Sequence, residues 1–238
     1  MALLLQLYSL LAIAVLLSTL LIAHIMRTKS SKARTSPRKR MTTGIQPSSS
    51  SSSTTTPMSS SNSDNYVFFW KVSETHGYLS QWYHSPFTTR IHLPGEAEPR
   101  TEALTFNTAE HYMMACKALL FDDLDVFNQI LAEPSDMARI KALGREVKNF
   151  VDEVWNKHRE EIVLNGSLAK FSEEGNKELR DRLLGTGEKV LVEASPRDRV
   201  WGVGYGEKRA LEVKDRWGLN LLGIALMKTR ETLRVEKS

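Results

Sequence analysis

The segment Thr108-Ala109-Glu110-His111-Tyr112-Met113-Met114-Ala115-Cys116-Lys117 holds the first residues suited to chemistry. Glu110 and Lys117 stand seven positions apart, so on a helix their directions differ by only about 20°. They share one stripe two turns apart, with Met113 and Met114 between them. A carboxyl can hand over or take up a proton. An amine desolvated by Met and Leu side chains can lose its proton and become a nucleophile. The same spacing also suits a plain surface pair, with Lys117 reaching water and Glu110 favouring the helix N-terminus. A second cluster, Glu193-Ala194-Ser195-Pro196-Arg197-Asp198-Arg199-Val200-Trp201-Gly202-Val203-Gly204, puts two carboxylates, a Trp and two glycines directly after a strand-like run. Strand-to-loop transitions often carry sites, and a Trp ring can stack on a base or cover a sugar face. A turn with ion pairs and a core Trp would use the same residues. Arg145, after Gly144, and Lys170, before Phe171, are cations able to receive a phosphate.

Other chemistries lack their residues. The six His residues (24, 76, 84, 92, 111 and 158) include no His-x-x-x-His pair and have no Cys partner at ligand spacing, so no metal site is expected. The lone Cys116 excludes an internal disulfide and lies in the apolar part of its helix. There is no Gly-x-Ser-x-Gly elbow, and the glycines after Trp201 fit neither a phosphate loop nor a dinucleotide fingerprint. No cofactor is expected.

The elements that must position these residues are legible from pattern and caps. Tyr66 to Trp70 and Lys189 to Ala194 read as strands, and Thr88 to Leu93 as a third that Pro94-Gly95 ends. Leu104-Thr105-Phe106 leads into a helix from Ala109 to Phe121 capped by Thr108. Further helices are expected over 124–132, over 136–143 with Ser135 as cap, over 152–164, over 176–184 and over 220–234. The sum is a mainly helical α+β single domain with a few short strands, over 65–236.

The chain as a whole has 238 residues and a formal charge of +4, with 32 Lys+Arg against 28 Asp+Glu. The charge is unevenly placed. Residues 27–40 hold seven cations and no acid, and residues 1–26 hold no Asp, Glu, Lys or Arg, so 41–238 carries 25 cations against 28 anions. A globally basic nucleic-acid-binding domain is therefore not expected. Residues 2–26 are dominated by Leu, Ile, Val and Ala. As a helix they would reach roughly 37 Å, enough to cross a hydrocarbon layer of about 30 Å with some tilt. The cationic run behind them predicts a single-pass membrane protein whose C-terminal domain faces the cytosol. Residues 27–64, basic and then rich in Ser and Thr, read as a disordered linker.

Taken in order, these residues resemble the YbiA-like, or NADAR, family. The resemblance rests on Phe69-Trp70 with Gly77-Tyr78-Leu79-Ser80-Gln81-Trp82-Tyr83, and on Thr108-Ala109-Glu110-His111-Tyr112 with Lys117. It continues through Ala142-Leu143-Gly144-Arg145, Lys170-Phe171, Asn176, Leu184 and Thr186-Gly187, then Leu191-Val192-Glu193-Ala194-Ser195, Asp198 and Trp201-Gly202-Val203-Gly204. Gly218-Leu219-Asn220-Leu221-Leu222-Gly223 with Leu226-Met227 and Arg230 closes it. Gln81 departs from the commoner Asn, and the apolar N-terminus is no requirement of the family.

The resemblance implies a YbiA-like fold and an N-glycosidase. The implied substrates are phosphorylated ribosylamino-pyrimidine intermediates of riboflavin synthesis, or ADP-ribose attached to a nucleobase. It also implies that Glu110, Lys117 and Asp198 are catalytic, and that Trp201, Arg145, Lys170, Glu193, Ser80 and Asn220 bind substrate. Cleaving a ribosyl C–N bond builds positive charge on the sugar, which a carboxylate stabilises while an acid protonates the departing nitrogen. Lys117 is expected to attack C1′ of an opened sugar and form an imine. Two alternatives use the same residues: a module that binds ADP-ribose or an NAD-derived ligand without cleaving it, and a membrane-tethered scaffold.

Overall fold

The computed structural model describes residues 62–236. The chain enters through a 3-10 turn, Asn62–Asn65, in place of the last stretch of expected linker, and continues into strand β1, Tyr66–Phe69. β2 is Phe87–Thr89 and β3 is Leu104–Phe106. Five helices then follow: α1 Ala109–Leu120, α2 Leu124–Leu131, α3 Met137–Glu146, α4 Asp152–Ser172 and α5 Lys177–Gly185. β4 is Val190–Glu193, α6 is the single turn Glu207–Ala210, and α7 is Leu221–Glu236. The strands form two two-stranded sheets. β1 and β4 run parallel, with Tyr66 opposite Val190 and Phe69 opposite Glu193, while β2 and β3 run antiparallel. The result is a mainly helical α+β domain.

α1 is the hub. Ten of its twelve residues are buried, and α2, α3 and α4 all pack against it. A helix this apolar on every side must be enclosed on every side. Its start is set by Thr108, whose hydroxyl accepts the His111 N–H at 3.1 Å. Asp123 caps α2 through Val126 N–H at 3.2 Å, and its other oxygen accepts Lys148 N–H at 2.8 Å. That one carboxylate ties the entry of α2 to the exit of α3. Gly166 explains how α4 comes so close to α1: a Cβ at that position would lie 2.6 Å from the Tyr112 ring.

The structure departs from several expectations. α4 runs on to Ser172 instead of ending at 164, because Gly166 is a packing position and not a stop. Asp136, not Ser135, caps α3, accepting Arg139 N–H at 2.9 Å. The strand expected over 88–93 is Phe87–Thr89, since only those residues pair with β3, although Ile91 and Leu93 are buried. Leu104–Phe106 is itself a strand. α7 begins at Leu221, with Asn220 outside it at φ +52°.

The expected single-pass membrane placement with a cytosol-facing domain does not stand. Among the described residues no helix is long and apolar enough to cross a membrane. The stretch 2–26 that prompted the expectation lies outside the described residues, as does the tract from 27 to 61.

Candidate active site

α1, α3, α4 and the loop after β4 enclose a cavity of about 380 Å³. Glu110, Met113, Met114 and Lys117 line it from α1, Lys141, Gly144 and Arg145 from α3, and Trp155 and Arg159 from α4. Asp198, Val200 and Trp201 close it from the loop. The size suits a small polar ligand. A wider hollow of about 880 Å³ beside β1 contains none of the clustered residues of α1 or of the Asp198 loop.

Glu110 is only 4% exposed, and its Oε1 has no hydrogen-bond partner among the described residues. Burial pushes its carboxyl up to about 6. Asp198 pushes the same way, while Lys141, the Trp82 side chain and Arg145 pull it down. The backbone N–H of Glu110 donates to Gln81 O at 3.0 Å, which holds the turn bearing Trp82 against the first turn of α1. Lys117 sits at the other end of the stripe, half-buried. Its Nζ donates to Gly144 O at 2.6 Å and lies 4.2 Å from the Phe150 ring centre and 5.6 Å from that of Trp155. Burial lowers its proton affinity and Arg145 adds to this, while Asp152 opposes it.

Asp198 is fixed by its own loop: Oδ1 accepts the N–H groups of Val200 at 3.0 Å and Trp201 at 2.9 Å. That loop also supplies acceptors for the start of α7, where the N–H groups of Leu221 and Leu222 donate to Val200 O and Trp201 O. A helix N-terminus needs such partners, so the site loop and α7 are mutually locked. Arg197 takes φ +74° in this turn. The Trp201 ring has the Arg159 guanidinium 6.0 Å from its centre.

Of the residues singled out from sequence, Glu110, Lys117, Asp198, Trp201 and Arg145 therefore meet at one cavity. Glu193 stands behind it. Its Oε2 is buried with no partner among the described residues, and burial, then Asp198 and Glu110, push the carboxyl up to about 8 against the pull of Lys141. Lys170, Ser80 and Asn220 are not among the cavity's lining residues. Lys170 is 1% exposed and donates to Tyr78 O at 2.7 Å and Ser80 O at 3.2 Å. Ser80 Oγ accepts Trp82 N–H at 3.3 Å. Asn220 bridges backbone, its Nδ2 donating to Leu191 O and its Oδ1 accepting Glu193 N–H.

Sequence reasoning missed Lys141 and Arg159. Both carried a signal, since Lys141 with Arg145 and Trp155 with Arg159 are each four apart on a helix and so share a face. Together Lys141, Arg145 and Arg159 make the cavity suited to an anionic group beside paired carboxyls and an amine. Among the described residues no group of three or more His, Cys, Asp or Glu is arranged to hold a metal ion.

Comparison with known proteins shows the family. Residues 68–234 match the model of the NADAR domain. The N-glycosidase R617 of Acanthamoeba polyphaga mimivirus is 43% identical over 174 residues, which cover 71% of this chain and 96% of that protein. N-glycosidase YbiA of Escherichia coli (strain K12) is 33% identical over 138 residues, or 58% of this chain and 77% of its own. The NMR structure of E. coli YbiA superposes with a TM-score of 0.55 at 28% identity, covering 73% of this chain and 88% of that one. The riboflavin biosynthesis protein VVA0006 of Vibrio vulnificus (strain YJ016) is 30% identical over 168 residues, covering 71% of this chain and 38% of that protein.

Proposed function

Because the chain belongs to the NADAR family, we propose that it is an N-glycosidase, a hydrolase that cleaves the bond between C1′ of a ribosyl group and a base or amine. The observation that carries the reading is the meeting of a buried carboxyl, an amine, a second carboxyl and three cations on one cavity. The substrate is a ribose bearing phosphate, either a ribosylamino-pyrimidine phosphate or an ADP-ribosyl group on a nucleobase. Lys141, Arg145 and Arg159 take the phosphate.

Glu110, held in a dry pocket with an oxygen free for the substrate, donates a proton to the departing nitrogen. Asp198, aimed by two backbone N–H groups, faces the positive charge that grows on the ribose ring. Lys117 loses its proton and adds to C1′. The base or amine leaves with the proton from Glu110, the ammonium formed on Lys117 returns one proton to the Glu110 carboxylate, and the ring opens as C1′–O4′ breaks and O4′ takes the last amine proton, giving an imine. Water then hydrolyses the imine and restores the amine. Trp201 covers the base or sugar face, its ring backed by Arg159.

The test is a panel of phosphorylated ribosylamines and ADP-ribosylated nucleobases, read by mass spectrometry for released base. Turnover of at least one member is expected, with a borohydride-trapped adduct on wild-type protein and none on Lys117→Ala. Full turnover by Lys117→Ala with no adduct on wild type would remove the imine. No turnover of any N-riboside would remove the reading.

A further inference from the structure

The Lys117 amine is held by the chain that leaves α3. Its Nζ donates to Gly144 O at 2.6 Å, and the Phe150 ring centre lies 4.2 Å away. Gly144 sits in the last turn of α3, and Phe150 follows shortly after the helix ends. Within a helix each carbonyl accepts the N–H four residues on, and the last carbonyls lack that partner. For Gly144 the N–H in question belongs to Lys148, and it donates instead to Asp123 Oδ2 at 2.8 Å. The chain has already left the helix at Val147, with ψ 120°, and turns again at Asn149, with φ +56°. The tie at Lys148 therefore stands between the two groups that touch the Lys117 amine.

Asp123 is buried and is not among the residues lining the cavity. Its Oδ1 caps α2 by accepting Val126 N–H, and a cap needs only that one oxygen. The second oxygen holds the segment after α3. Two packing contacts hold the same segment. At Gly144, α3 comes so close to α1 that a Cβ would collide with Met114 Sδ. The Phe121 ring meets the Phe150 ring edge-on, with centres 5.2 Å apart. We propose that Asp123 is a positioning residue for the reaction: by holding Lys148 N–H it keeps the Gly144 carbonyl and the Phe150 ring on the Lys117 amine, and so fixes the direction in which that amine meets C1′. The proposal rests on Lys117 being the nucleophile of the function proposed above.

A lysine has many rotamers, and an amine that must add to one carbon gains rate from being held in one of them. A carbonyl on one side and a ring on another leave the nitrogen lone pair the direction of the cavity that Lys117 lines. Without the second oxygen of Asp123, Lys148 N–H is free to turn back to Gly144 O, and Lys117 loses its fixed acceptor. Hydrolysis of the imine is the work of water and does not need the amine to be aimed. The loss therefore falls on formation of the adduct and not on its decay.

The experiment compares Asp123→Asn and Asp123→Ser with wild type, using whichever N-riboside the wild type turns over, with melting temperatures alongside. Both replacements cap helices well, and each offers one acceptor atom, which Val126 N–H takes. In single turnovers quenched with borohydride, the adduct on Lys117 is expected to form about tenfold more slowly, with its decay and KM within about twofold of wild type. Folded variants that form the adduct at the wild-type rate overturn the proposal. Equal slowing of formation and decay overturns it as well, because a general loosening of the site would give that result. In the wild type, the Lys148 amide is expected to exchange with solvent at least about a hundredfold more slowly than an open amide. Free exchange there overturns the proposal even where neither variant folds. A wild type that turns over the riboside with no trappable adduct sinks the nucleophile reading and the positioning role with it, whereas an adduct that wild type and variants form equally fast sinks the positioning role alone.

Discussion

Two carboxyls, one lining the cavity and one behind it, carry buried oxygens with no partner among the described residues, and they titrate differently. Glu110 is pushed to about 6 and Glu193 to about 8. With Glu110 as proton donor, kcat/KM falls as pH rises through about 6, and Glu110→Gln lowers the rate by at least about a hundredfold, near 2.7 kcal/mol of barrier. A pH–rate series on both proteins checks this; a profile that climbs through 6 would make Glu110 the ionised partner. Glu193 makes a prediction about stability. Its native proton is held until about pH 8, whereas the unfolded chain releases it near 4.5, the ordinary value for a glutamate. Unfolding therefore releases a proton between those values, and the stability contributed by the protonated form is lost as pH rises through 8. Glu193→Gln cannot ionise, so its melting temperature should gain on wild type from pH 5 to pH 9. A constant difference across that range would show that Glu193 is already ionised when folded. Sequence spacing alone located Glu110 and Lys117 on one stripe, because two helical turns bring them into line. It could not separate Lys170, Ser80 and Asn220 from ligand-binding residues. A polar side chain that holds a carbonyl and one that holds a substrate leave the same letter in a motif.

Helix starts were legible where a side chain does the capping, as Thr108 does through its hydroxyl. Ser135 beside Asp136 shows the weakness of that signal: both types can cap, and the serine instead faces Glu133. The helix expected over 152–164 continues through Gly166 to Ser172, and α1 and α4 touch at that glycine. Gly166→Ala should therefore destabilise the domain by about 1–3 kcal/mol despite the better helix propensity of Ala, because the buried Tyr112 ring has to move. Thermal unfolding should show the melting point falling by several degrees, at about 2–4 °C per kcal/mol for a domain of this size. A rise would mean that the two helices separate at little cost. Sheet pairing was beyond local reading, because whether Thr89 or Leu93 ends a strand depends on where a distant partner stops.

Over the whole molecule, charge and site run in opposite senses. Residues 41–238 carry 25 cations against 28 anions, yet Lys117, Lys141, Arg145 and Arg159 all face one cavity. A field focused this way draws an anionic substrate in against a mildly repelling exterior, and salt screens it. For a phosphorylated riboside, kcat/KM should fall several-fold between about 0.02 and 0.5 M ionic strength, with kcat nearly constant; an insensitive kcat/KM would place the phosphate outside the cavity. The parallel pairing of β1 with β4 has a different consequence, for synthesis. Tyr66–Phe69 leaves the ribosome first, while Val190–Glu193 follows about 120 residues later. At about 5–20 residues per second, a nascent Tyr-Val-Phe-Phe run waits roughly 6–25 s for its mate, leaving an apolar strand open to chaperones or to mispairing.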